Sequence, residues 1–576
     1  MHDLVITGGS IVDGTGSEPR SADVAVDDGV ITEVGTLEDS SARRTIDADG
    51  LVVTPGIVDI HTHYDGQVTW DPLVTPSSWH GVTTVVMGNC GVGFAPVRPG
   101  SNDWLIQLME GVEDIPGAAL SEGITWGWES FPEYLDALEG MPRVVDVGTH
   151  VPHGAVRAYV MGERGARNEP ATAEEIATMS ALVKAGIEAG ALGFSTSRTI
   201  VHRAVDGEPV PGTFAAEDEL FGIGEALSSL HTGVFEMAPA GAMGEDLAAP
   251  EREVDLMRRL SKQIGRPVSF AMIQVNAAPD LWRDLLRLTA VANSEGSDLR
   301  PQVAGRALNI LMGFQTFHPF SSRPSYLAVA DLPLAERIQH LRKDEVRRAI
   351  LSEKTPDNPL MSMIGGQSTS AMFPLGEPPN YEPTPDMSVA AIAAREGRPE
   401  EEVLYDLLLR HDGRELLLFT LGGYSHGSLD DMREMLLDPN SVLGLSDGGA
   451  HCGAICDASA PTYMLSHWAR DRADGLPLPW VVKKMTRDTA LLYGLEDRGI
   501  IAPGYKADLN VVDLEHLNLR LPEMVHDLPG NARRLIQRAD GWKATINSGQ
   551  VTLEDGEHTE ARPGRLIRGV QSAPVG

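Results

Sequence analysis

Short apolar runs bounded by turn residues alternate with stretches of helical periodicity, and the two textures are unevenly distributed along the chain. Residues 1–55 carry only strand-like runs: Leu4-Val-Ile-Thr, Ser10-Ile-Val-Asp, Val24-Ala-Val-Asp and Arg44-Thr-Ile-Asp-Ala. Asp13-Gly14 and Asp28-Gly29 supply turn chemistry, the second as a hairpin signal. The same texture returns in Lys506-Ala-Asp-Leu-Asn-Val-Val-Asp and in Ala544-Thr-Ile-Asn-Ser-Gly-Gln-Val-Thr-Leu. Two strand-rich ends around a long middle predict one β-sandwich assembled from both termini, with 1–55 and 491–576 as its two parts.

The middle, 56–490, reads differently. Gly56–Ile60, Thr83–Met87, Val144–Gly148, Leu192–Ser195, Gly233–Glu236, Val268–Ile273, Pro301–Ala304 and Ser441–Leu445 are candidate buried strands. Helical periodicity fills several of the gaps, at Ala173–Gly190, Ala216–His231 and Arg252–Ile264. This alternation predicts an α/β fold, a (β/α)8 TIM-like barrel of parallel strands. A long insertion, about 307–440, separates the seventh and eighth strands. It holds helices over Ala335–Lys354 and Val389–His411 and a Pro-rich stretch at Pro374–Pro385. An excursion of that length at the catalytic end of a barrel is a candidate lid.

Composition narrows the partners. The chain has 576 residues, 42% hydrophobic, enough for a sizeable core. Lys+Arg 47 against Asp+Glu 82 gives a net charge of −35. So acidic a surface repels phosphate backbones and anionic lipid, which argues against nucleic acid and membrane partners. Three cysteines (Cys90, Cys452 and Cys456) make no disulfide framework, and the odd count points to a reducing compartment. No apolar run approaches the roughly 18 residues of a membrane span, and the opening Met1-His-Asp-Leu-Val-Ile-Thr has no secretory pattern. A cytoplasmic protein is expected.

Two motifs carry chemistry. In Val58-Asp59-Ile60-His61-Thr62-His63, strand periodicity puts His61 and His63 on one side at a strand's carboxyl end, where both imidazoles can share a metal ion. Gly444-Leu-Ser-Asp447-Gly-Gly-Ala-His451 is a second apolar strand ending at a carboxylate, able to ligate a metal and to accept a proton from water. Each motif alone has a bland reading, a satisfied polar pair in one case and a turn in the other. Facing each other across a barrel, they become specific.

Pro55-Gly-Ile-Val-Asp-Ile-His-Thr-His63, Gly88-Asn-Cys-Gly91 and Gly444-Leu-Ser-Asp-Gly448 together resemble the amidohydrolase superfamily, and within it the N-acyl-D-amino-acid deacylase (D-aminoacylase-like) branch. The resemblance extends from Val5-Ile-Thr-Gly-Gly to Asp497-Arg-Gly-Ile-Ile-Ala-Pro-Gly. It implies a metal-dependent hydrolase acting on a carbon–nitrogen bond of a small-molecule substrate, with one or two divalent ions, usually Zn2+. His61 and His63 match the family's first-strand ligand pair, Cys90 its thiolate ligand, and Asp447 its base and eighth-strand ligand. The pattern is broken where the family places histidines. The fifth strand reads Gly233-Val-Phe-Glu236 and the sixth Val268-Ser-Phe-Ala-Met-Ile-Gln274, and no lysine ends the fourth. Glu236 is then the oxygen-donor substitute, with Gln274 or Asn276 behind it. His153, in a His-Gly-x-x-Arg stretch that the deacylases share, and His451 are candidates for contacting substrate. Arg198 and Arg306 are candidates for a substrate carboxylate, although structural ion pairing competes in both cases. His426 and His467 read as structural. Opening of a cyclic amide or imide, or a non-catalytic relic of the family, are the alternative functions, and similar proteins are often homo-oligomers.

Overall fold

A computed structural model describes residues 1–37, 41–355 and 369–574. Eight parallel strands stand side by side in chain order: Ile57–Asp59, Val82–Met87, Asp146–Pro152, Gly193–Ser197, Val234–Ala238, Val268–Ala271, Leu299–Val303 and Val442–Leu443. A parallel bridge between Thr62 and Gly448 joins the ends of the first and last strands and rounds the sheet into a barrel. Helices Ala173–Glu188, Glu217–Leu230, Ala249–Ile264 and Leu281–Ser294 return the chain between strands three and seven. Their sequences explain them. Thr172 and Glu175 form a reciprocal capping box at the first. Val254, Met257, Leu260 and Ile264 recur at helical spacing on the buried face of the third.

Two strands differ from expectation. The third runs on to Pro152, so His150 lies inside it rather than after it. The eighth is only two residues long, because Gly444 abuts the Gln302 side chain and Leu445 turns to φ 57°.

The chain's two ends share one nine-stranded sheet, in which Leu509–Val512 pairs with Val52–Pro55 on one side and Trp542–Asn547 on the other. Leu4, Ile6, Val24, Ile31, Val53, Leu509, Val511 and Ile546 fill its core. The excursion between strands seven and eight forms a small body of its own. Leu417–Gly422 is the centre of a three-stranded antiparallel sheet, flanked by Leu308–Met312 and Met372–Pro374. Met312, Phe320, Leu341, Leu404, Tyr405 and Phe419 pack as a separate core. Each long helix expected here is two shorter ones. The first breaks at Lys343, whose extended backbone separates Leu334–Leu341 from Asp344–Ser352. The second breaks where Gly397 turns left-handed and Pro399 starts a new helix, giving Val389–Glu396 and Glu400–Leu408. Positions 356–368 of the insertion lie outside the described residues. Among the described residues no helix is long and apolar enough to cross a membrane.

A buried ion cluster ties the barrel's amino-terminal end to the C-terminal segment. Arg498 Nη1 reaches Asp146 Oδ2 at 2.7 Å, Lys506 Nζ reaches it at 3.1 Å, and the Arg565 backbone N–H donates to Oδ1 at 2.9 Å. Burial opposes the charge on Asp146, but Lys506 and Arg498 outweigh it and hold the carboxyl well below the usual range. Because the folded state binds this proton more weakly, the cluster's contribution is full above the ordinary aspartate pKa and is lost as pH falls. Asp146→Asn removes one of the carboxylates facing Arg498 and Lys506, leaving Asp497 and Asp508 as their partners, and costs about 1–3 kcal/mol. The expected result is a lower melting temperature at pH 7, with the gap to wild type narrowing toward pH 3 in a thermal-shift series.

Candidate active site

The mouth of the barrel is assembled from its first and last strands. Past Asp59 the chain bends at His61, and the Asp447 N–H donates to His61 O at 3.1 Å while the His63 N–H donates to Gly448 O at 2.7 Å. These bonds set Asp447 beside both imidazoles and hold it at φ 47°. The two glycines that follow are required by packing. A side chain at Gly448 would lie 2.6 Å from Ser77 Oγ, and one at Gly449, already at φ 93°, would lie 2.9 Å from the Tyr64 ring. Ser446 completes the closure by donating to Asp59 Oδ2 at 2.6 Å.

His61 donates from Nδ1 to Gln302 Oε1 at 2.7 Å, and Gln302 in turn donates to Ser269 Oγ at 3.0 Å. An acceptor at Nδ1 fixes the tautomer, leaving the Nε2 lone pair free. That Nε2 stands 3.4 Å from Cys90 Sγ and 3.4 Å from Asp447 Oδ1. His63 Nε2 lies 3.7 Å from the same oxygen. Donor atoms of His61, His63 and Cys90 all fall within 4.8 Å of one another, and all three residues are buried. Burial pushes both imidazoles down, His63 to about 4, against the pull of Asp447. Both are therefore neutral, the state in which imidazole ligates a metal.

Two further carboxylates close on this group. Glu236 Oε2 accepts the Cys90 N–H at 3.0 Å, while Oε1 has no hydrogen-bond partner and sits 4.0 Å from His61 Nδ1. Glu113 Oε1, also unpartnered, lies 3.4 Å from His63 Nδ1. Burial raises Glu236 to about 8, and burial with repulsion from Asp447, Asp65 and Glu236 carries Glu113 well above the carboxylate range. The Cys90 thiol is pushed up by burial and then by the same carboxylates. Asp447 is the exception: burial opposes its charge, but His63 and His61 hold it below the usual range. Buried acidic donors and orphaned oxygens around two neutral imidazoles suit a divalent cation, and a thiolate among them favours zinc.

The cluster forms one wall of a cavity of about 650 Å3. Most of the remaining lining is apolar and includes Met243, Met272, Ile273 from the barrel and Ile310, Phe317, Leu421 from the insertion. His451 is on this wall as well, with Nε2 3.9 Å from Glu113 Oε2 and 4.0 Å from Asp447 Oδ2.

Other candidates are committed to other partners, Arg306 and Gln274 while lining the cavity and the rest away from it. His153 opens the helix after the third strand with both nitrogens occupied, Nδ1 by Thr196 Oγ1 at 2.8 Å and Nε2 by Glu219 Oε1 at 2.9 Å; it is no part of the cavity wall. Arg198 pairs with Glu253 at 2.8 Å and donates to Ala215 O, also away from the wall. Arg306 does line the cavity, yet Nε and Nη2 are held by Asp457 Oδ1, at 3.1 and 3.0 Å, and its guanidinium stacks on Tyr381. Gln274 is turned to Asp431 and Pro279, and Asn276 to Leu421 O. His426 pairs with Asp431 and His467 with Glu382.

Gln302 and His202 have no expectation attached to them as site groups, while Glu113 is legible in the sequence only as part of an acidic Glu113-Asp114 loop where substrate could be contacted. Glu113 closes a helix whose Val112, Met109 and Leu105 face the core, so its burial follows from helical phase. His202, whose Nδ1 meets Ser197 Oγ at 3.0 Å, sits on an irregular loop with no local signal.

Comparison with known proteins places this geometry in context. Residues 44–553 match the model of an amidohydrolase family. D-aminoacylase from Alcaligenes xylosoxydans xylosoxydans is 28% identical over 98% of this chain and 97% of its own length. A crystal structure of D-aminoacylase, described as defining a novel subset of amidohydrolases, superposes with a TM-score of 0.66 at 25% identity, covering 99% of this chain and all of the other. A second D-aminoacylase structure, from work on the functional role of a binuclear metal centre, gives 0.65 at 25% identity over the same coverage.

In the metal-free protein Glu236 is protonated on folding, so it favours the folded state below the ordinary glutamate pKa and that contribution fades as pH rises to about 8. Chelator-treated Glu236→Gln should therefore lose less melting temperature than wild type between pH 5 and pH 8. An equal loss in both proteins would show that the buried carboxyl is not the group being titrated.

Proposed function

The chain belongs to the amidohydrolase family, and from that premise we propose that it hydrolyses the amide bond of an N-acyl-D-amino acid or a related N-acyl compound. One observation carries the reading: His61, His63, Cys90 and Asp447 converge at the mouth of the barrel, with orphaned oxygens of Glu236 and Glu113 around them. Similarity to D-aminoacylase along nearly the whole chain supports the substrate class.

His61 and His63 would hold a divalent ion through their neutral imidazoles, Cys90 through its sulfur, and Asp447 through Oδ1, with Zn2+ favoured by the thiolate. Glu236 offers an oxygen where the family's fifth-strand histidine is missing. When bound, such an ion supplies Lewis acidity to the scissile carbonyl and lowers the pKa of attacking water. The protein's own groups do the rest. Gln302 locks His61 in the tautomer that leaves Nε2 bare. Asp447, whose carboxyl is held below the usual range, takes the proton of the attacking water and delivers it to the leaving nitrogen. The apolar wall excludes bulk water and strengthens each of these interactions.

Asp447→Asn should lower kcat on N-acetyl-D-amino acids by about 10²–10⁴-fold, the usual worth of a positioned general base. A variant turning over at the wild-type rate would remove Asp447 from the chemistry. Replacing His61 and His63 together by alanine should abolish bound zinc as measured by elemental analysis, and stoichiometric metal in that variant would contradict the ligand set.

A further inference from the structure

One imidazole on the cavity wall is not accounted for by the metal cluster. His202 lines the cavity together with His61, His63, Cys90, Asp447 and His451. Its Nδ1 meets Ser197 Oγ at 3.0 Å, and among the described residues that hydroxyl has no other hydrogen-bond partner. The serine proton therefore goes to Nδ1, which places the imidazole's own proton on Nε2. Nε2 has no partner among the described residues and is not one of the atoms sealed in the core, so it opens on the cavity as a donor. Burial, reinforced by His451 and His63, pushes the His202 pKa down to about 3. The ring is a neutral hydrogen-bond donor, and not an acid that gives its proton away. His451 differs: its Nε2 stands 3.9 Å from Glu113 Oε2 and 4.0 Å from Asp447 Oδ2, whereas no carboxylate among the described residues pairs with His202. Arg306 Nη1 is unpartnered too, but that guanidinium is bound to Asp457 and stacked on Tyr381.

The backbone holds this donor in place. Ser197 ends the fourth barrel strand, and the next N–H, that of Arg198, donates to Ala238 O at 2.8 Å at the end of the fifth. Thr199 Oγ1 accepts from the Val201 N–H at 3.2 Å and donates to Glu245. The His202 carbonyl accepts from the Val210 N–H at 3.1 Å, which closes the loop on itself. Val205 N–H then donates to Gln107 O at 3.3 Å, on the helix that ends at Glu113. A Cβ at Gly111 of that helix would lie 2.4 Å from the Ala204 carbonyl carbon, so only glycine lets the loop lie so close. His202 is thus fixed relative to the strand ends that form the barrel mouth, although it stands on irregular backbone.

We propose that His202 donates a hydrogen bond from Nε2 to the scissile carbonyl oxygen of the substrate, a bond that strengthens as negative charge builds there during attack by water. The proposal rests on the amide-hydrolysis reading above and adds a group that touches the reacting atoms. A fixed neutral donor on a largely apolar wall needs no reorganisation at the moment of reaction, so its contact is stronger in the transition state than in the ground state. Ser197 is a positioning residue, because it sets the tautomer that puts the proton on Nε2. Asp447 remains the base that moves the proton of water, while His202 neither gains nor loses one.

The test uses zinc-loaded wild type, His202→Phe, His202→Gln and Ser197→Ala on the N-acetyl-D-amino acid that wild type turns over fastest. A methylphosphonamidate analogue of that compound reports transition-state binding. His202→Phe should lower kcat by about 10²–10³-fold with KM little changed, and should weaken the phosphonamidate by a similar factor. His202→Gln, which keeps an N–H donor, should recover part of the loss. Ser197→Ala leaves the imidazole in place and should lower kcat by about 3- to 10-fold, the effect of one neutral hydrogen bond. Zinc content should stay stoichiometric in all three variants. Unchanged kcat in His202→Phe (or in Ser197→Ala, where His202→Phe does not fold), a loss confined to KM, or loss of bound zinc would overturn the proposal. A wild type that hydrolyses no N-acetyl-D-amino acid sinks the underlying reading and this inference together, whereas turnover untouched by the variants sinks the inference alone.

Discussion

Everything at this site hangs on a short stretch of backbone pairing between the ends of the first and last barrel strands. Asp447 N–H to His61 O and His63 N–H to Gly448 O are main-chain bonds, so they set the positions of the His61, His63 and Asp447 side chains before any side-chain interaction acts. The eighth strand is two residues long and contributes little pairing of its own. Closure therefore depends on the turn after it, where Asp447 and Gly449 adopt positive φ and Gly448 leaves room for Tyr64 and Ser77. The Asp59–Ser446 hydrogen bond reinforces the same seam from below.

That closure crowds buried acids, and the crowding gives the site its character. Asp447 is held below the usual carboxylate range, while Cys90, Glu113 and Glu236 are driven toward their neutral forms. In an empty site the arrangement is electrostatically costly, with orphaned oxygens on Glu113 and Glu236 and an orphaned nitrogen on His63. A divalent cation would reverse the sign of the local field and satisfy several of these groups together.

Much of this was legible in the sequence, for identifiable reasons. The barrel and the two-ended β domain were written in the alternation of apolar runs, which is a local signal. His61, His63, Cys90 and Asp447 stand in short motifs, so local pattern and family resemblance both point to them. Glu113 was visible only as part of an acidic loop, because its place beside His63 depends on helix phase relative to a distant loop. Gln302 was hidden because a glutamine inside an apolar strand looks like packing until its partner is seen. His153 attracted attention through a shared stretch, yet Thr196 and Glu219 occupy both of its nitrogens. The long helices expected in the insertion failed at Lys343 and at Gly397, where periodicity continued across backbone that does not.

X-ray absorption spectroscopy on the zinc-loaded protein tests the central claim most directly, because it reads the ligands rather than the activity. The account predicts a four- or five-coordinate shell containing one sulfur at about 2.3 Å and two imidazole nitrogens at about 2.0–2.1 Å. The sulfur should vanish in Cys90→Ser. A shell of oxygens alone, or one unchanged when His61 and His63 are replaced, would contradict it.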